Sequence, residues 1–366
     1  MPYQAQVYTR IQHIAFETPT FAANNAGDAS YKSKLSKVVP LPEPKDLSLD
    51  AQNRVLTVVN LIKTARDTLI KNGTDSSTCL KIFTVPEFYF RPPKAEAGCL
   101  DRSYSAKTKE AIVKNLTAKL ANSDYKHWLF VLGSIIWTTK LEEIEGLHAS
   151  KVSATDKGVR NTCLMMKGGD QDAPVQLFDK VHLSSINDIR EAAWAGKHFN
   201  PVLQRPKVSA LFESLSSRQK CIFKVDNISI CAEICLDHHQ QLMVGKKTLY
   251  DLNKKKGFLE PREKVGLQFV IACGMPIQPK SIATEANGYV IRNDGHGGSK
   301  PFSQCVLVDY TVKDNQSFKN KDGKSLKRDD MLNVTYEDSQ NTLNNQAVRN
   351  NIKEALTYFT PQPIYA

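Results

Sequence analysis

Apolar residues between Asp50 and Lys71 recur every three and four positions, at Val55, Val58, Val59, Ile62 and Ala65. That is the period of a helix burying one face, so the spacing predicts an amphipathic helix over 51–71, with Ser48 or Asp50 as its N-cap. A second helical pattern runs from Thr108 to Leu120. Between and after these lie short β-branched and aromatic runs that read as strands. They are Arg10 to Phe16, the run LKIFTV closed by Pro86, Trp128 to Trp137, Asn161 to Lys167 and Val175 to Lys180. The series continues with Cys221 to Val225 and Asn227 to Cys235, joined at Asp226-Asn227, then Leu267 to Cys273 and strands near 281–291 and 305–311. A helix-like stretch spans 237–251. Helices alternating with nearly continuous apolar strands predict an α/β protein, two mixed sheets in a four-layer αββα sandwich flanked by helices. The polar, Pro-punctuated stretch at 20–50 reads as a loop insertion. The Asn/Lys/Asp-rich stretch from about 312 reads as a C-terminal extension of loop plus a surface helix. No internal repeat or linker divides residues 1–366, so a single domain is expected.

Composition narrows the class. With 366 residues, 41% hydrophobic and 24% charged, the chain can build a large core and is neither disordered nor fibrous. No run approaches the roughly 18 consecutive apolar residues of a membrane span. The first residues carry neither a basic n-region nor a long apolar h-region, so a cytoplasmic location is expected. The eight cysteines are scattered without a CxxC pair, and several fall inside apolar strands. They read as reduced core thiols, not as a disulfide framework or a zinc site. The net charge of +11 raises the question of nucleic acid. Yet the densest basic stretches, Lys246 to Lys264 and Lys313 to Arg328, lack the interleaved aromatics of a stacking platform. They read as solvated loops, with attraction of anionic substrates as the weaker implication. Neither a nucleic-acid nor a membrane partner is expected.

Three strand ends carry chemistry. Glu87 follows IFTVP, Lys180 follows VQLFD and Cys235 follows ISICAEI. In α/β folds, ligands gather where strands end at their carboxyl side. A thiol needs a base to become a nucleophile, which a carboxylate supplies. The tetrahedral oxyanion needs a cation or N–H donors, which Lys180 and the Leu236 backbone could provide. Taken singly, each residue has an ordinary reading: a solvated turn carboxylate, a surface lysine, a core thiol.

The surrounding motifs, in one order, resemble those of the nitrilase superfamily of carbon–nitrogen hydrolases: Val85-Pro86-Glu87-Phe88, Leu132-Gly133-Ser134, Arg160-Asn161-Thr162, Lys180-Val181-His182-Leu183 and Glu233-Ile234-Cys235-Leu236-Asp237. The likeness runs from about residue 10 to 310. It implies the αββα sandwich, a cofactor-free and metal-free Glu-Lys-Cys mechanism on a small-molecule amide, an anionic one being among the candidates, and a homodimer or higher homo-oligomer. By that resemblance Cys235 is the nucleophile that becomes a thioester. Glu87 is the base and then the acid for the departing amine, and Lys180 stabilises the tetrahedral intermediate. Glu191, eleven residues after Lys180, positions the substrate. Phe88, Leu236 and His238 are expected on the substrate side.

The chain departs from the family after the nucleophile, where HHQQL replaces the usual continuation; the missing Trp-Glu pair favours an amide-cleaving branch over a true nitrilase. Cys231 reads as packing, since only Cys235 has the strand-end position and the following Asp237. His182, His238 and His239 admit a Cys–His reading, which the family match sets aside for His182. Acyl transfer through the same thioester, and a non-catalytic binding or effector role on the same fold, stay open.

Overall fold

The computed structural model describes residues 6–20, 47–100, 102–140, 157–169, 172, 175–180, 222–239, 265–278, 281–296, 303–308, 311–314, 317–319, 347–349 and 352–364. The apolar runs assemble into two mixed sheets. The first holds β1 (Arg10–Glu17), β2 (Cys79–Val85), β3 (Trp128–Lys140), β4 (Lys157–Lys167) and β5 (Val175–Asp179). The second holds β6 (Ile222–Val225), β7 (Ile228–Ile234), β8 (Val265–Ala272), β9 (Thr284–Asp294) and β10 (Ser303–Leu307), in the order β10-β9-β8-β7-β6. β1, β2 and β3 are parallel neighbours, as are β7, β8 and β9, with antiparallel strands outside them.

The strand period of two sorts the side chains of the first sheet into two cores. Ile11, Leu80, Ile82, Leu129 and Val131 face the second sheet, where Ile230, Ala232, Phe269 and Ile291 meet them. Their neighbours Ile14, Phe83, Val85, Phe130 and Leu132 face outward, against the helices. There α1 (Leu49–Lys71) presents Val55, Val58, Val59, Ile62, Ala65 and Leu69, the positions its periodicity marks, with Leu69 added. α2 (Ala106–Leu120) adds Ile112, Leu116 and Leu120. Each Val, Ile or Leu side chain so removed from water stabilises the fold by about 1.5–3 kcal/mol. The α/β sandwich of two mixed sheets with outer helices is therefore the fold the sequence pattern predicts.

Ser48 holds the N-cap position of α1 but makes no side-chain cap bond. Asp50 lies inside the first turn, where it accepts hydrogen bonds from Arg54 at 2.9 Å and from the Tyr104 hydroxyl. α2 is capped by Ser105, whose Oγ accepts from the Thr108 N–H at 3.2 Å.

The C-terminal segment differs from expectation. Its described residues form strands, β11 (Thr311–Asp314), β12 (Ser317–Lys319), β13 (Ala347–Arg349), β14 (Ile352–Tyr358) and β15 (Gln362–Pro363), while most of the stretch where a surface helix is expected lies outside the described residues. β14 pairs antiparallel with β1, and β13 extends the edge beyond it. Polar composition hid these strands, which lie at and next to the edge of the sheet. Tyr358 and Phe359 are buried and the Phe359 ring stacks on His13 at 4.6 Å, so the chain's last strands close the first sheet.

Two polar networks cross between the sheets. At one, Asn293 donates to the carbonyls of Phe16 and Thr84 and to the Thr84 hydroxyl, each at 3.0–3.1 Å; that hydroxyl also bonds His13 Nε2 at 2.8 Å. At the other, the Asp226-Asn227 turn accepts the N–H groups of Gln6 and Tyr8. Among the described residues no helix is long and apolar enough to cross a membrane.

Candidate active site

β2 stops at Val85 because Pro86 lacks the N–H a further ladder bond would need. Phe88 then turns into the left-handed region at φ 62°. Gly133 makes the turn possible. Its φ is +67°, and a Cβ there would lie 2.4 Å from the Pro86 carbonyl oxygen, so only glycine lets β3 pass beneath. Ser134 completes the support, its Oγ accepting the Phe88 N–H at 3.0 Å. The β3–β4 register shifts here, between Val131 and Ser134. The Leu132-Gly133-Ser134 motif is thus the cradle of the Glu87 turn.

Glu87 is fully buried and Lys180 reaches it at 2.8 Å, neither side chain being exposed. Antiparallel pairing of β4 to β3 and of β5 to β4 points β5 back along β2, so Lys180 arrives at the same sheet end as Glu87. Asn161 on β4 donates to the same Glu87 oxygen at 2.9 Å, and its carbonyl accepts the Lys180 N–H at 2.8 Å. Thr162, beside it, accepts from the Trp137 indole at 2.7 Å and donates to Asp179, which Arg160 reaches at 2.5 Å. Each residue of the Arg160-Asn161-Thr162 motif therefore holds either the carboxylate or the end of β5. Two charges taken out of water are tolerated only with such geometry and further hydrogen bonds.

Across the sandwich, Cys235 closes β7 in the left-handed region, at φ 47°. Strain of this kind persists only where the surroundings over-determine it. Its N–H donates to the Ile271 carbonyl at 2.9 Å, and its own carbonyl accepts the His238 N–H at 3.0 Å. The following residues form the short helix α3 (Leu236–His239). The Cys235 thiol is nearly buried and donates to the Cys273 carbonyl at 3.9 Å. Cys273, at the end of the neighbouring β8, packs with Phe88, Ile136 and Val159. Burial drives its thiol well above the ordinary value, and the negative charges of Glu87, Asp294 and Cys235 push it further. Cys273 is thus held as a thiol within electrostatic reach of both Glu87 and Cys235. Gly274, at φ +95°, turns the chain beyond it, with its N–H held by Asp294 at 2.7 Å.

The sequence-derived site residues fall into three groups. Glu87 and Lys180 meet directly, with Phe88 against them: Lys180 Nζ lies 5.6 Å from its ring centre. Cys235 and the half-buried Leu236 stand at the β7 end. His238 is placed differently from a substrate contact. It is fully buried, its Nδ1 lies 2.6 Å from Glu233, and its Nε2 accepts the Gln278 N–H at 2.8 Å. Glu233 also accepts from Gln268 at 2.8 Å. Both ring nitrogens are committed inside the protein, so His238 braces the turn after Cys235. Glu191 and His182 lie outside the described residues, as do most of the 20–50 insertion and the basic stretch 246–264. Cys231 is fully buried among the inter-sheet residues, in agreement with its packing role. The described cysteines are all free thiols. Among the described residues no group of three or more His, Cys, Asp or Glu could hold a metal ion.

Asn161 and Cys273 were not singled out from sequence as parts of the site. Asn161 carried a signal as a motif residue. Cys273 carried none, because its relation to Glu87 exists only across the two sheets.

No family model matches the chain, and no curated protein matches it. Among solved structures it is similar to XC1258 from Xanthomonas campestris, described as a CN-hydrolase superfamily protein with an arsenic adduct in the active site. Identity is 11% over 99% of this chain and 92% of that one, with a TM-score of 0.38. A likeness of that strength equates no residues between the two chains.

Proposed function

We propose that the protein is a carbon–nitrogen hydrolase of the amidase type, cleaving a small carboxamide through a thioester on Cys235. The observation that carries the reading is the wholly buried Glu87–Lys180 pair at 2.8 Å, whose Glu87 acts electrostatically on the same thiol, Cys273, as the strained strand-end Cys235 does. An ion pair in that position costs desolvation and is a poor stabiliser, so its presence at the strand ends supports a role in chemistry.

In the proposed reaction Glu87 takes the Cys235 proton as Sγ attacks the amide carbon. Lys180 Nζ and the Leu236 N–H, at the first turn of α3 where amides lack intrahelical acceptors, stabilise the oxyanion. Collapse of the tetrahedral species breaks the C–N bond, and Glu87 returns the proton to the leaving amine. Water, deprotonated by Glu87, then adds to the thioester carbon. The carboxylic acid leaves and the thiol is restored.

Ammonia release from a panel of small carboxamides, ureas and nitriles tests this directly. Cys235→Ala should abolish release, and turnover surviving in that variant overturns the reading. Added hydroxylamine should divert the acyl group to a hydroxamate in the wild type only.

A further inference from the structure

The two halves of the proposed site stand on different sheets. Glu87 and Lys180 belong to the first and Cys235 to the second, so the reach from carboxylate to thiol depends on how the sheets are joined. Two asparagines join them, at opposite ends of β1. Ahead of its start, Asn227 on the β6–β7 turn accepts the Tyr8 N–H through Oδ1 at 3.1 Å. At its other end, Asn293 on β9 donates through Nδ2 to the Phe16 carbonyl at 3.1 Å. The same nitrogen reaches the Thr84 carbonyl and the Thr84 hydroxyl on β2, each at 3.0 Å.

Carbonyls only accept, so the Asn293 amide presents its nitrogen here, and one NH2 group serves the ends of both β1 and β2. The Thr84 hydroxyl, accepting from Asn293, gives its own proton to His13 Nε2 at 2.8 Å. That direction requires a neutral imidazole, and burial lowers the His13 pKa from 6.5 to about 3. From this clamp both halves of the site are a short, fixed path away. On one side Thr84 leads through Val85 and Pro86 to Glu87, in the turn that Gly133 and Ser134 hold. On the other, Asn293 is the register partner of Ile271 on β8, whose carbonyl accepts the Cys235 N–H at 2.9 Å. The Thr20 N–H also ties the chain beyond β1 to the Gly295 carbonyl, at 2.8 Å. The Asn293 bonds go further, to β2, the strand that delivers Glu87.

We propose that Asn293 is a positioning residue, setting the separation of Glu87 from Cys235, whereas Asn227 joins the sheets without bearing on it. The proposal rests on the thioester reading for the role of Glu87 as the base that takes the Cys235 proton. A base displaced by about 1 Å loses on the order of a hundredfold in rate, so a clamp that registers the two sheets acts on chemistry more than on binding.

The experiment compares wild type, Asn293→Ala, Asn293→Asp and Asn227→Ala at a temperature where each stays folded. One readout is ammonia release from small carboxamides. The other needs loss of the thiol proton but no turnover: the rate at which chloroacetamide alkylates Cys235, followed by mass on the peptide that contains it. N293A should lower kcat about a hundredfold with KM within about threefold, and slow alkylation at least about tenfold. N227A should change either rate by less than about threefold, whatever it costs in stability. In N293D the donor returns only when the new carboxyl is protonated, so its alkylation rate relative to wild type should rise as pH falls from about 8 to about 6. Equal losses in N293A and N227A, or alkylation in N293A as fast as in wild type, overturn the assignment. Should N293A not fold, N293D decides the matter, and a ratio to wild type that is flat with pH overturns it. If wild type cleaves no amide but alkylation still slows in N293A and not in N227A, the positioning stands and the hydrolase reading alone fails.

Discussion

Two buried lysines sit at opposite ends of the first sheet, and they are held in different ways. Lys180 lies 2.8 Å from Glu87, with Asn161 bonded to the same carboxylate oxygen. Lys167, at the far end of β4, lies 3.9 Å from Asp226 on the turn of the second sheet, donates to the Lys126 carbonyl and faces the Tyr8 ring. Burial pulls the Lys167 ammonium from 10.5 down to about 8; Asp226 opposes the shift while Lys81 and Lys126 add to it. Lys81 in turn holds Asp75 at 2.6 Å. The near end thus packs one cation tightly against one carboxylate that Asn161 also holds. The far end spreads several charges over the seam that ties Tyr8 to the Asp226-Asn227 turn. The two buried lysines thus differ in pairing distance and in what surrounds them.

The largest effect that tests this contrast is expected at Lys180. Lys180→Met leaves a buried, uncompensated carboxylate and should cost about 3–5 kcal/mol in urea unfolding, together with all turnover. The double variant Lys180→Met/Glu87→Gln should recover most of that stability and none of the activity. If the double variant turns over substrate, the near end is structural like the far one.

At the far end the expected outcome is reversed. Lys167→Met/Asp226→Asn should leave turnover intact while changing how stability varies with pH. The unfolded chain binds the Lys167 proton up to 10.5 and the folded chain only up to about 8, so wild-type stability rises as pH climbs through that window. Below pH 8 the penalty is about 3 kcal/mol, and the double variant should lose that slope and gain part of the difference. Thermal or urea denaturation at pH 7 and pH 10 measures it, and equal slopes in both proteins would remove the distinction between the two lysines.

A smaller effect separates the turn from the charges it carries. Gly133→Ala places a Cβ against the Pro86 carbonyl and strains a left-handed residue, for an expected cost of about 1–3 kcal/mol. Because that strain moves Glu87, kcat should fall more than the stability loss explains at temperatures where the variant stays folded. An unaltered kcat would mean that Gly133 serves packing alone.

Much of the near end was legible in the chain. Pro86 closing a β-branched run, Gly133-Ser134 inside an apolar strand and Asn161-Thr162 within β4 are local signals, because each reflects the backbone conformation of its own segment. The helical face of α1 was legible for the same reason, since burial against the sheet repeats along one element. The partners of His238 were not legible, because its neighbours alone do not reveal Glu233 on one ring nitrogen and the Gln278 amide on the other. β14 was missed because its partner is β1, at the other end of the chain.

By itself, then, the sequence determined where α1, α2 and the strands of the two sheets up to β10 run, which strand ends carry a carboxylate, an ammonium and a thiol, and that the described cysteines would be free and largely buried. The tertiary structure alone decided which charges meet. Lys180 finds Glu87 across 93 positions because two antiparallel reversals return β5 to the β2 end. Lys167 meets Asp226, and Cys273 comes near Glu87, only because one sheet lies on the other. Periodicity is set by contacts within a few residues, whereas these encounters depend on sheet order and on the packing of two faces, which no short stretch of chain contains.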